Sequence, residues 1–164
     1  MKYMLFPALL LYIVAEASPV PSTAPGTTTH TVRVAPARAV SMADEILQYI
    51  NTYRRKKGLP PMVMNAVMSA EAQKHSENMA AHRTSFGHSG FQNRVKRISP
   101  ALNGLSGAAE NVAMGSTTAK EVVDNWLKSS MHKQNIEGSY NLTGIGVAPD
   151  RKGVLYFTQI FASN

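Results

Sequence analysis

The chain of 164 residues contains no cysteine. It therefore forms no disulfide and no thiolate metal site, and it offers no thiol for a lipid anchor. Small secreted eukaryotic domains commonly lean on disulfides, so this absence points to a bacterial type of exported protein whose core suffices alone. Acids are also scarce, with 10 Asp and Glu against 17 Lys and Arg, for a net charge of +7. Such an excess favours anionic surroundings: nucleic acid, acidic headgroups or cell-wall polymers. Nucleic acid lacks specific support, because no basic residues are interleaved with aromatic ones. The run Arg54-Arg55-Lys56-Lys57 reads as the solvated end of a helix. No apolar run is long enough to remain as a membrane span, and no internal repeat is visible.

The sequence begins "MKYMLFPALLLYIVAEA", with a basic start at Lys2, an apolar run from Tyr3 to Val14 interrupted by Pro7, and the small-x-small triplet Ala15-Glu16-Ala17. This pattern predicts a secretory signal over residues 1–17, removed after Ala17. Losing Lys2 and Glu16 together leaves the net charge unchanged. Residues 18–40, dense in Pro, Thr and Ala, lack apolar periodicity and predict a linker, with His30 inert inside it. One folded domain, 41–164, is expected, exported to the periplasm or beyond, as a monomer.

Ser41 is placed to cap a helix whose first turn holds Asp44 and Glu45. Met42, Ile46, Ile50 and Tyr53 line one face of it, and the basic run closes it before Gly58. A second helix is expected over 65–83, with Met68, Ala72, His75 and Met79 on one stripe. A short helix over 92–98 follows, then a third long one from Thr117 or Thr118 that turns Val122, Val123, Trp126 and Leu127 inward. The period then changes. "LTGIGVAP" and "VLYFTQIFA" read as strands joined by a turn at Asp150-Arg151-Lys152-Gly153, with "AENVAM" a third strand. Helices first and strands late predict class α+β, an antiparallel sheet with helices packed on it.

Three ionisable residues stand off the regular apolar stripes: His88 in "FGHSGF", Glu110 in "AAENVA" and His132 in "SSMHKQNI". An isolated carboxylate among small apolar residues needs water or a partner. The surrounding motifs resemble those of the CAP superfamily: the cysteine-rich secretory proteins, antigen 5 and pathogenesis-related 1 proteins. The resemblance is to the cysteine-free bacterial branch and covers residues 42–161. "ILQYINTYRRKKGLPPM" and "AEAQKHSENMA" are similar to the family's first two helices. "FGHSG" resembles F-S-H-T-G, and "AENVAMG" resembles G-E-N-I-A-x-G. "VVDNWLKSSMHKQNI" resembles V-x-x-W-x-x-S-x-x-H-R-x-N-I, and "TGIGVA" and "YFTQIFA" resemble the closing strands.

The resemblance implies a three-layer α-β-α sandwich with a mostly antiparallel sheet and a cleft of two histidines and two acids. Carried over by residue, His88 is the first histidine, Glu110 the first glutamate and His132 the histidine of the bacterial branch. The second acid is missing: Trp126 is followed by Leu127, Lys128 and Ser129, with no acid before Glu137. Ala109 stands where the motif has Gly. The implied partners of Glu110 are His88 and His132, with Asn111 tying down backbone and Gln159 a further polar group facing the cleft. Those three groups suit Zn2+ or another divalent cation with water in the fourth place. They equally suit a metal-free network in which the carboxylate favours charged imidazole.

Blander roles fit the rest: His75 packed and structural, His82 facing water, Asn135 bracing the turn after the third helix. Ser89 beside His88 lacks a third group to orient a triad. Asn141-Leu142-Thr143 is a glycosylation sequon, of no consequence in a bacterium. Three functions follow from the resemblance. One is a non-catalytic exported module binding a peptide, small ligand or envelope component. Another is a metal-dependent hydrolase using His88 and Glu110. The third is a sterol or lipid carrier, for which the chain shows no long apolar segment.

Overall fold

A computed structural model describes residues 40–164; the signal and linker expectations lie outside the described residues. Helix α1 (Met42–Lys56) starts with a reciprocal capping box. The Ser41 hydroxyl accepts from the Asp44 amide, and the Asp44 carboxylate accepts from the Ser41 amide at 3.1 Å. Strand β1 (Val63–Met64) and helix α2 (Ala66–Ala80) follow, with Asn65 capping α2 through its side chain. Next come α3 (Phe91–Ile98), a 3-10 turn (Ser99–Leu102), β2 (Gly107–Met114), α4 (Ala119–Lys128), α5 (Ser130–Glu137), β3 (Leu142–Pro149) and β4 (Leu155–Ser163).

The four strands form one mixed sheet in the order β1-β3-β4-β2. Strand β4 runs antiparallel to both neighbours, while the two-residue β1, which the residue pattern did not signal, joins β3 in parallel. Because strand side chains alternate, the sheet feeds two layers of core. On one face Ile145, Phe157 and Phe161 pack against Ile46 and Ile50 of α1, Trp126 of α4 and Ile136 of α5. On the other, Ile160 and Ala162 meet Met68, Ala72 and Ile98, while Val112, Ala148 and Tyr156 meet Met79. The result is an α-β-α sandwich.

Two details correct the sequence expectations. The expected third helix stops at Lys128, and where a turn was expected after it a further helix, α5, begins beyond Ser129, whose φ of −91° and ψ of 122° are extended. The other correction concerns the basic run, of which only Arg55, Lys56 and Lys57 are exposed. Arg54 is fully buried. Its Nε donates to Pro60 O at 2.8 Å, Nη1 to Ile136 O at 2.7 Å and Gly138 O at 2.9 Å, and Nη2 to Tyr140 O at 3.2 Å. The guanidinium thus satisfies orphan carbonyls at the end of α5. Removing it strands buried acceptors, each costing about 1–3 kcal/mol. Arg54→Met is therefore expected to lose about 3 kcal/mol or more in urea unfolding.

Helix α2 lies directly on β3. A Cβ on Gly144 would come within 2.2 Å of the Met68 backbone, and one on Gly146 within 2.2 Å of the Gln73 backbone. The Ser76 hydroxyl, fully buried, bonds Gly146 O at 3.0 Å and Thr158 Oγ1 at 2.9 Å. Neither backbone can yield as a side-chain tip would, so Gly146→Ala is expected to cost about 3 kcal/mol through overpacking. Equilibrium unfolding in urea checks this, and a loss under ~1 kcal/mol would contradict it.

Candidate functional site

Alternation on β2 sends neighbouring residues to opposite sides of the sheet. Glu110 pairs with Ile160 and faces the α2 and α3 layer, whereas Asn111 pairs with Gln159 and faces α5. The partner of Glu110 is a residue that sequence reasoning passed over. Arg94 of α3 grips the carboxylate as a fork, Nε to Oε2 at 2.9 Å and Nη2 to Oε1 at 2.8 Å, while its Nη1 holds Ser89 O at 2.9 Å. Both side chains are almost wholly withdrawn from water, at 5% exposure for Arg94 and 1% for Glu110. A detectable signal existed: Phe91, Arg94, Val95 and Ile98 share helical spacing, which puts an arginine on the inward stripe of α3.

His88 completes the cluster. Its Nδ1 lies 3.0 Å from Glu110 Oε1, so against a carboxylate this nitrogen is the donor. Its side chain is 53% exposed, and Nε2 makes no hydrogen bond within the described residues. The loop carrying it is tied down from behind, where the buried His75 donates from Nε2 to Gly87 O at 2.8 Å. Gly87 at φ 133° and Gly90 at φ 76° let this loop turn sharply into α3. A β-branched residue would be strained at either.

His132 arrives by another route. It sits inside α5 rather than past a helix, and α5 is stitched to the rim of the sheet. Asn111, fully buried, donates from Nδ2 to His132 O at 3.1 Å and accepts from Asn135 Nδ2 at 2.8 Å. Asn135 also reaches Glu110 O at 3.3 Å, and Trp126 Nε1 reaches Val112 O at 3.3 Å. These side chains cover carbonyls that an edge strand would otherwise leave unpaired. The His132 ring is half-buried and makes no hydrogen bond to Glu110. Gln159 does not face an open cleft: it is fully buried, with Nε2 donating to Thr143 Oγ1 at 3.2 Å and Oε1 unpartnered.

The expected set of three ligands is accordingly not what the side chains build. Glu110 hydrogen-bonds His88 instead of standing beside it as a second donor, and its remaining capacity goes to the Arg94 fork. No group of three His, Asp or Glu among the described residues is arranged to hold a metal ion. The guanidinium itself opposes one. Unit charges about 4 Å apart interact by about 4 kcal/mol at an effective dielectric of about 20, and a dication doubles that repulsion. The residues as placed do not fit a metal. Cavities of about 770 Å³ beside Met64, Ser69 and Ile145, and of about 520 Å³ beside Glu77 and Asp150, lie away from His88.

The sequence profile of the cysteine-rich secretory protein (CAP) family matches residues 47–161. The chain belongs to this family. Over 145 residues it is 30% identical to the uncharacterized protein YkwD of Bacillus subtilis, covering 87% of the chain and 55% of that protein. Over 85 residues, 51% of the chain, it is 34% identical to the human Golgi-associated plant pathogenesis-related protein 1, covering 47% of it. It thus spans about half the length of these two relatives. An extracellular SCP-domain protein of Bacillus anthracis superposes with a TM-score of 0.64 at 23% identity, over 75% of this chain and 40% of that one. An outer surface protein of Borrelia burgdorferi superposes with a TM-score of 0.62 at 19% identity, over 76% and 96%. At these identities the likeness shows the CAP fold alone. No helix among the described residues is long and apolar enough to cross a membrane.

Both inner histidines of this CAP domain resist protonation. Burial lowers the His75 pKa, with Arg94 and His88 adding to the effect against the opposing Gly87 carbonyl and Glu110. Burial also lowers that of His132, helped by His88. Below the ordinary value of 6.5 the unfolded chain therefore binds protons that the folded chain refuses. The stability these neutral rings contribute is full above that value and declines as pH falls beneath it. Melting temperature is expected to drop between about pH 7 and pH 5, and His75→Gln, which keeps a donor for Gly87, should flatten that drop. An identical pH profile in the variant would exclude His75 as a source.

Proposed function

We propose that this CAP domain is an exported binding module that docks on an anionic polymer of the cell envelope through the His88 edge of the cluster. One observation supports the reading above others: a half-exposed imidazole is held by a carboxylate that is itself 1% exposed. A rigid buried pair behind a free Nε2 is a recognition group oriented in advance, with little freedom left to lose on binding. The net charge of +7 supplies long-range attraction toward such a polymer. Extracellular and outer surface proteins among the structural relatives accord with export.

Hydrolysis has less behind it. Glu110 would have to accept a proton while both its oxygens are engaged by Arg94, and Ser89 contributes its carbonyl to that same arginine. Purified chain lacking residues 1–17, sedimented with bacterial cell-wall sacculi at low salt, is expected to pellet. His88→Ala should weaken retention about tenfold, and added salt should weaken both. Retention unchanged in His88→Ala would defeat the proposed contact. Soluble fragments released from the sacculi by wild type, but not by Glu110→Gln, would favour a hydrolase instead.

A further inference from the structure

The edge of the sheet opposite β2 is only partly closed. Strand β1 covers the first two residues of β3, Leu142 and Thr143. Residues Gly144 to Pro149, about 20 Å of strand, have no neighbouring strand on that side. Main-chain groups alternate in direction along a strand. Thr143 O accepts from the Asn65 amide at 2.8 Å, so the N–H and C=O of Ile145 and Val147 turn to this same edge. At Val147 the side chain of Gln73 on α2 stands in for a strand: Oε1 accepts from the Val147 N–H at 2.9 Å and Nε2 donates to its carbonyl at 3.0 Å. One carboxamide thus takes the place of one peptide group. Ile145, the rung between, is left over: among the described residues no loop amide or side chain hydrogen-bonds its main chain on this edge.

A cavity of about 770 Å³ lies along these rungs, between the first turn of α1 and helix α2. The Ser69 hydroxyl beside it is buried and has no hydrogen-bond partner. Ala43, Ala66 and Ala70 line its sides, and their small side chains leave room for larger ones from outside. Among the described residues that line it Asp44 alone is charged, although the chain carries +7. An anionic polymer therefore meets no cation here, and the occupant that matches the wall is neutral or basic. An unpaired strand edge flanked by pockets for alternate side chains is the arrangement that recognises an extended peptide.

We propose that this groove docks an extended, uncharged or basic peptide segment of a partner protein, which joins the sheet as a strand along β3. The peptide pairs first with Ile145, where no bond has to break. It then takes over Val147 as the Gln73 carboxamide swings out. This assignment does not depend on what His88 binds.

The test titrates the full chain with a synthetic hexapeptide of alternating valine and lysine, acetylated and amidated at its ends, and follows backbone amide resonances. Saturable shifts at Ile145 and Val147 are expected. Ala70→Trp, which fills the groove from an exposed helix position, should weaken binding about tenfold or more. Gln73→Ala, which removes the group that must leave, should tighten it. The same peptide methylated on its backbone nitrogens keeps its side chains but loses its main-chain donors, and should not bind. No shift at Ile145 with millimolar peptide, equal binding of the methylated peptide, or equal binding by a folded Ala70→Trp overturns the proposal. Should Ala70→Trp fail to fold, the methylated peptide decides alone: loss of binding upholds strand addition, and retention refutes it.

Discussion

A carboxylate buried among alanines on an edge strand cannot stay ionised without compensation, and in this CAP domain an arginine from the next layer provides it. The Arg94–Glu110 fork fixes more than charge. It ties α3 to β2, and through Ser89 O it ties the residue after His88 to the same guanidinium. The imidazole is therefore positioned by groups that never reach solvent. Breaking one side of such a pair leaves a buried charge, whose cost typically runs to about 3–5 kcal/mol. Shape and chemistry at the mouth thus share one source.

The opposite side of β2 solves a different problem. An edge strand presents carbonyls with nothing to pair them, and here the side chains of Trp126 and Asn135 meet those of Val112 and Glu110. Asn111 adds a bond from the sheet to the backbone of His132. Polar residues that look like site chemistry in the sequence are in this case spent on joining α4 and α5 to the rim. The break at Ser129 suits that division, since α4 delivers an indole to one carbonyl and α5 delivers an amide to another. His132 is carried along by this arrangement.

Much of this was legible beforehand. Period and capping chemistry located α1 at Ser41, the stripe of α2 and the paired strands β3 and β4, because local sequence and final packing agree there. The motifs around His88 and Glu110 pointed to the two residues that do touch. Besides the short β1 and α5, what escaped were charged residues on inward stripes. Arg54 continues the Ile46 and Ile50 face of α1, and Arg94 lies between Phe91 and Ile98 of α3. Composition classes both as surface, and only three-dimensional closure reveals carbonyls or a carboxylate waiting for them. Asn111 ties down backbone as expected, by donating to His132 O, whereas Gln159, opposite it on β4, is fully buried instead of facing a cleft.

The glycines of β3 bear on motion as well as on packing. With α2 seated on the backbone at Gly144 and Gly146, helix and strand meet at these two positions with no side chain of the strand between them to absorb sliding. The segment 81–90 after α2, where His82, Gly87 and Gly90 adopt positive φ, is held instead by side-chain bonds, from His75 to Gly87 O, from Arg94 to Ser89 O and from His88 to Glu110. Backbone contact thus sets the spacing of α2 and β3, while side-chain bonds alone set the pose of the exposed imidazole.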